Sequence, residues 1–301
     1  MTRGRWQKQG QVVVPGKRPS WSRTHVALPV VASSPAGSVL YFTSRDGRGR
    51  SHVARAALSF DPLRVSPVSA SPVLRPGSLG AFDDAGVTSS CVIQAGGQTF
   101  LFYTGWSLGV SVPFYLQSGV AVSDNGRRFH RISAAPLLDR CDVDPYLNAS
   151  PWVLVENGIW RMWYVSGTGW QRRGSAVRHR YHIKYAESAD GVAWRRRGHV
   201  CLDYASPREY AFGRPCVLKE GRTYRMWFSS RGSRYRIGYA ESNDGLSWTR
   251  DDAAGGLAPS AAGWDSEMTA YPCVWRRGGR LHMLYNGNGY GASGIGLAVG
   301  V

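Results

Sequence analysis

A hairpin-like text recurs along this chain at a long, nearly fixed period, and that recurrence constrains the fold more than any other feature. The clearest copy runs from Tyr224 to Trp248, YRMWFSSRGSRYRIGYAESNDGLSW. Tyr224 to Phe228 is aromatic and dense in strand formers. Tyr235 to Ala240 alternates as a half-buried strand does. Asn243-Asp244-Gly245 is turn chemistry, because these residues tolerate positive φ. Residues 160–194 carry WRMWYVSGTGW and YHIKYAESADGVAW, residues 100–129 carry FLFYTGW and SGVAVSDNGRRF, and residues 281–299 carry LHMLYNGNGYG and SGIGLAV. A degenerate copy, VLYFTS and SHVARAAL, occupies 39–58. A short apolar strand precedes each copy, anchored at Pro29, Ser90, Pro151, Pro215 and Pro272. These anchors mark five units of about sixty residues, each with three strands before the turn and one after it. Four-stranded antiparallel sheets repeated about an axis predict an all-β fold, a five-bladed β-propeller. Residues 1–301 then form a single domain, since no linker is long enough to separate two.

The last unit ends at Gly300-Val301 after its third strand, which would leave an unpaired edge. The apolar island Val12-Val13-Val14 in an otherwise polar N-terminus predicts that Gln11 to Val14 supplies the outer strand of the last blade. Blade 3 carries the longest insert, Thr168 to Arg180, read as a loop on one face.

No window of eighteen apolar residues occurs, and no apolar stretch follows the basic start, so neither a membrane span nor a secretory signal is expected and the location reads as cytoplasmic. Five cysteines without a CxxC pair agree with that. Cys91, Cys216 and Cys273 share one position after the anchor and read as core filler rather than as ligands. The formal net charge of +17 favours anionic partners. No nucleic-acid module is present, so nucleic acid is not the expected partner.

The connections that lead into the inner strands converge at one mouth of a propeller channel. Seven positions before the anchors stand Ser22, Asp83, Asp144, Arg208 and Asp265, with Glu209 and Glu267 close behind. Acids thus recur at one structural position in four of five blades, although Asp and Glu total only 20. Several carboxylates on one axis would raise one another's pKa, which is how a general acid stays protonated beside an ionised partner. An Asp ahead of a strand also caps turns.

The YAES-x-DG-xx-W text after an MWY strand resembles the five-bladed propeller glycosidases of glycoside hydrolase families 32, 43 and 68. It is most similar to glycosidase-like proteins encoded with bacterial surface-polysaccharide genes. The resemblance covers about 24–301. It implies a glycoside hydrolase or transglycosidase in which three carboxylates from consecutive blades act together. By position these are Asp83 as nucleophile or base, Asp144 as stabiliser and Glu209 as acid. Phe82-Asp83-Asp84 leaves Asp83 and Asp84 as alternatives, and Asp265 with Glu267 competes. The family 32 motifs are absent apart from an echo at Asp144-Pro145.

Around these acids, Trp106, Trp170 and Trp264 suit stacking on a pyranose. Asn148, His182, Arg214, Arg231, Tyr271, Asn286 and Asn288 suit hydroxyls or an anionic substituent. No spacing reads as a transition-metal site, and no cofactor is expected, although several acids at one mouth would accept Ca²⁺. The expected partner is a carbohydrate or a sugar-containing anionic small molecule. A non-catalytic propeller binding such a ligand is the alternative.

Overall fold

In the computed structural model, residues 6–16, 19–34, 37–60 and 63–301 are described. The chain opens with β1 (Trp6–Val13) and then builds blade 1 from β2 (Thr24–Ser34), β3 (Gly37–Arg45), β4 (Ser51–Ser59) and β5 (Arg64–Val65). Blade 2 is β6 (Gly86–Ala95), β7 (Gln98–Leu108), β8 (Phe114–Ser123) and β9 (His130–Arg131). Blade 3 is β10 (Asn148–Glu156), β11 (Ile159–Arg173), β12 (Ala176–Ser188) and β13 (Trp194–Leu202). Blade 4 is β14 (Ala211–Glu220), β15 (Thr223–Arg231), β16 (Tyr235–Ser242) and β17 (Thr249–Arg250). After a short helix, α1 (Asp252–Gly255), blade 5 is β18 (Ala270–Arg277), β19 (Arg280–Asn286) and β20 (Ile295–Gly300). The innermost strands β2, β6, β10, β14 and β18 touch in a closed ring.

The N-terminal strand closes that ring. β1 pairs antiparallel with β20, from Trp6 opposite Gly300 to Val13 opposite Ile295, so blade 5 has its fourth strand. The closing strand is longer than the apolar island alone predicts, because the polar residues before Val12 also pair. The turn chemistry holds as well. Ser242 Oγ accepts from Gly245 N at 2.8 Å, and Asp244 Oδ1 accepts from Leu246 N and Ser247 N at 2.7 and 2.8 Å. Gly245 sits at φ 77°, a conformation that glycine adopts without cost. The Trp163 indole of blade 3 donates to Gly245 O at 2.8 Å and ties neighbouring blades together.

The inner-strand thiols do similar work. Cys91, Cys216 and Cys273 accept from Val153 N, Val274 N and Val31 N, each in another blade, at 3.4, 3.1 and 3.4 Å. One position before the anchor, Leu28, Ser150, Arg214 and Tyr271 all have positive φ at a bulge of the inner strand.

The insert at Thr168 to Arg180 is not a loop. β11 and β12 run through it and pair from Gly169–Arg180 to Arg173–Ala176, leaving a tight turn at its tip. Alternating apolar and aromatic residues (Trp170, Val177, His179) give it a face to lay against its neighbours, which is why it stays a strand pair. It extends blade 3 on the face where inner strands begin and second strands end, called the upper face below.

Candidate functional site

The predicted acids are placed by their own blades. Asp83 is buried, and its Oδ2 accepts from Tyr103 Oη at 3.1 Å and from Arg131 Nε and Nη2 at 2.8 and 2.6 Å. Asp144 is buried, with Tyr164 Oη and Arg196 Nη1 donating to Oδ2 at 2.9 Å each and Ser166 Oγ donating to Oδ1 at 2.6 Å. Lys184 Nζ stands 3.5 Å from the same carboxylate. Asp265 is buried and receives Lys8 Nζ at 2.6 Å and Tyr285 Oη at 2.9 Å. Each acid therefore joins the second strand of its blade to the fourth, and each has a separate set of partners. Burial and the neighbouring aspartate push all three tyrosine phenols up, which keeps them as donors at neutral pH.

The tyrosine lies 20 residues after the aspartate in each of these blades. In blades 1 and 4 the aspartate position holds Ser22 or Arg208, and the residue at the same offset is Phe42 or Phe228. Hydroxyl and carboxylate come and go together, as a buried donor and acceptor must. Blade 4 makes a weaker version: Arg250 forks onto Glu209 at 2.9 and 2.7 Å, and Ala205 N donates at 2.8 Å.

Asp83, Asp144, Glu209 and Asp265 are thus each held by partners that the others do not share. Their partners belong to the blade flanks, and among the described residues no three His, Cys, Asp or Glu side chains form a metal-holding group. Asp84 accepts from Gly80 N at 3.0 Å within its own loop. Glu267 is exposed, 3.5 Å from Arg234.

Several expected sugar contacts are staples. Asn148 accepts from Ser118 N at 2.8 Å and donates to Leu138 O at 3.0 Å. Asn286 accepts from Leu28 N at 2.9 Å and donates to Val26 O and Gly294 O at 2.7 and 2.8 Å. Asn288 accepts from Glu267 N at 2.8 Å and Met268 N at 3.2 Å, and donates to Gly263 O at 3.1 Å. Trp106 donates to Ser51 Oγ at 2.8 Å. Trp264 lies against Tyr285 at 5.2 Å, over the glycines Gly287 and Gly296 that leave room for it. His182 is buried with Nδ1 3.6 Å from Asp203, and burial lowers its pKa. Arg214 crosses the centre of the ring and donates to Ser89 O at 2.9 Å and Pro29 O at 2.5 Å, blocking the channel with its own side chain.

Trp170, Arg231 and Tyr271 do come together, at a mouth on the upper face. Tyr181 Oη and Tyr235 Oη lie 2.8 Å apart at its floor. The Arg231 guanidinium stands 5.4 Å from the Tyr210 ring, 5.2 Å from Tyr235 and 5.4 Å from Tyr290. Arg178 stands 4.2 Å over Tyr210. His179 stacks on Tyr181 at 4.6 Å and reaches Trp170 at 6.1 Å. Tyr271 meets Tyr235 at 5.8 Å. Burial, then Arg231 and Arg178, lower the His179 pKa to about 4, so the imidazole is neutral at pH 7. Among the described residues, neither arginine pairs with a carboxylate. Tyr290 holds a positive φ of 58°, which is costly for a residue with a side chain. Unlike the inner-strand bulges, this strain is not shared by other blades.

Sequence reasoning missed Tyr181, Tyr210, Tyr235, Tyr290, Arg178 and His179. The basic insert was the one visible signal. A cavity of about 710 Å³ opens elsewhere, between blades 4 and 5, lined by Trp6, Trp227, Tyr239 and Arg280 among others.

No family profile matches the chain. It is 40% identical over 297 residues, 98% of each chain, to the uncharacterised proteins MT1551 and Rv1502 of Mycobacterium tuberculosis. Among solved structures it superposes on BT0996 in an RGII complex with TM-score 0.74 at 19% identity, covering 97% of this chain and 90% of that one. It superposes on a thermostable family-43 glycoside hydrolase with TM-score 0.67 at 16% identity, covering 95% and 92%. The chain belongs to the family of MT1551 and Rv1502, and its propeller fold is the one seen in those solved structures.

Proposed function

We propose that this protein binds an anionic saccharide, or a sugar-containing anionic small molecule, at the upper mouth. The observation that carries this is the pair Arg178 and Arg231, which are set among tyrosine rings and have no carboxylate partner. Guanidinium groups in that setting present forked donors to a carboxylate or phosphate. The rings beside them supply flat apolar surface for a sugar face. The likeness to a structure solved as an RGII complex agrees with a saccharide ligand. The five free thiols suit a reducing compartment, so the proposal keeps the protein in the cytoplasm.

Calorimetric titration tests it with three probes: a hexose monophosphate, an oligogalacturonide and the neutral maltotriose. At least one anionic probe is expected to bind and maltotriose to bind more weakly. Arg231→Gln is expected to weaken the anionic probe by at least tenfold, about 1.4 kcal/mol, in a protein that still unfolds cooperatively. An unchanged affinity in that variant refutes the site.

A second reading, glycoside hydrolysis by Asp83, Asp144 and Glu209, draws support from the shared fold and from Glu209. That residue lacks a tyrosine clamp and its side chain is 14% exposed, against 1% and 0% for Asp83 and Asp144. Under this reading Glu209 protonates the leaving oxygen. Mass spectrometry of products from wild type but not from Glu209→Gln would favour it. Binding without product in either protein favours the ligand-binding reading.

A further inference from the structure

The most exposed large apolar side chains of the described residues share the upper face. Val110 is 106% exposed and Leu108 is 74% exposed, both at the tip between β7 and β8. Leu79, 99% exposed, lies in the connection leading into blade 2. Three aliphatic side chains held almost wholly in water are a feature that needs a use.

A cationic edge adjoins them. Phe114, at the start of β8, lies 5.3 Å from Trp170 and 5.7 Å from His179, so the blade 2 tip stands against the long blade 3 hairpin. That hairpin carries Arg172 and Arg173 exposed near its end. Arg140 stands 5.6 Å over Tyr115, next to Phe114. Among the described residues none of Arg140, Arg172 and Arg173 lies within ion-pair distance of a carboxylate. The whole chain adds a net charge of +17.

We infer that the blade 2 and blade 3 tips of the upper face dock this protein onto an anionic lipid bilayer. Separate aliphatic tips can each enter the interfacial region of a bilayer without forming one continuous patch. A rigid protein partner would need such a patch. Free guanidinium groups beside the tips match acidic headgroups, whose attraction falls off within a Debye length. Nucleic acid would meet the same charge, but Leu79, Leu108 and Val110 offer no surface on which bases stack. Docked this way, the protein would turn its aromatic mouth toward the membrane. The inference does not depend on what that mouth binds.

Flotation with vesicles of phosphatidylglycerol and phosphatidylcholine, and of phosphatidylcholine alone, tests the inference. The full chain is expected to float with the anionic vesicles and not with the neutral ones. Leu108→Ser with Val110→Ser is expected to cut the bound fraction at least fivefold, and Arg172→Glu with Arg173→Glu by a similar factor. Both pairs lie at exposed positions, and unchanged thermal midpoints would show intact folding. Failure of wild type to float overturns the inference. So does binding that the Leu108 and Val110 changes leave intact, since that would be simple adhesion of a basic protein. Equal flotation with neutral vesicles overturns the charge argument.

Discussion

On the flanks of blades 2, 3 and 5 every buried carboxylate meets a cation and a tyrosine hydroxyl, whereas at the upper mouth Arg178 and Arg231 meet only ring faces and neutral groups. The flank arrangement is closed. Asp144 already receives Tyr164, Ser166 and Arg196, and its charge is spent on holding the outer strand to the second strand. The mouth arrangement is open. A ring face attracts a cation by about 0.5–2 kcal/mol but cancels none of its charge. What the difference teaches is where charge remains available to a ligand. Acid residues attract notice as candidate catalysts, yet here the available charge is positive and lies among tyrosines.

The largest expected effect breaks the flank side of that comparison. Asp144→Ala leaves Arg196 and Lys184 facing a buried space with no counter-charge. Removing one partner of a buried ion pair costs about 3–5 kcal/mol. Urea unfolding at neutral pH is expected to show a loss in that range, with affinity at the mouth retained in whatever fraction still folds. A loss under about 1 kcal/mol, on the scale of an exposed pair, would mean that the latch is not structural and would reopen a catalytic role for Asp144.

Tyr164→Phe sharpens the same side with a smaller change. It removes one hydrogen bond while Arg196 and Ser166 still satisfy the carboxylate, so about 1 kcal/mol is expected. In a double-mutant cycle with Asp144→Asn the two changes are expected to couple, since they remove one interaction. Additive losses would show that the recurring tyrosine acts through packing alone, and the Tyr-to-Phe alternation among blades would then need another cause.

Much of the propeller is legible in the sequence because each blade is local. The anchors, the Asn-Asp-Gly turns and the alternating strands all lie within one sixty-residue unit, and the unpaired end of blade 5 points to the N-terminal strand. The acid positions are legible for the same reason. Their meaning was legible too, in the constant offset from Asp83 to Tyr103, from Asp144 to Tyr164 and from Asp265 to Tyr285, but only when the partner was sought along with the acid. The mouth was not legible. Tyr210, Tyr235 and Tyr290 come from a blade-to-blade connection, a third strand and a short helical turn, at no shared repeat position. Closure of the ring brings them to Arg231, and no spacing encodes that. The blade 3 insert misled in a related way, since an insertion into a repeat reads as a loop while its alternation pairs it as strand.

The smallest expected effect concerns the latch that also closes the ring. Burial alone would raise the Asp265 pKa, but Lys8, Ser260 and Tyr285 outweigh it, and the net shift is downward. A carboxylate whose pKa is lower folded than unfolded contributes stability above its unfolded value and loses it as pH falls through the folded value. Stability is therefore expected to decline on acidification below about pH 4. Lys8→Met removes the cation from β1 and should flatten that decline while lowering stability modestly at neutral pH. Unfolding followed by tryptophan fluorescence across the acid range reads both effects, since Trp6 on β1 meets Trp227 of blade 4 at 6.1 Å. If Lys8→Met leaves the acid slope as steep as in wild type, the Lys8–Asp265 pair is not what fastens the closing strand. The backbone ladder between β1 and β20 would then carry closure without it, and the flank latches would matter less to blade 5 than to blades 2 and 3.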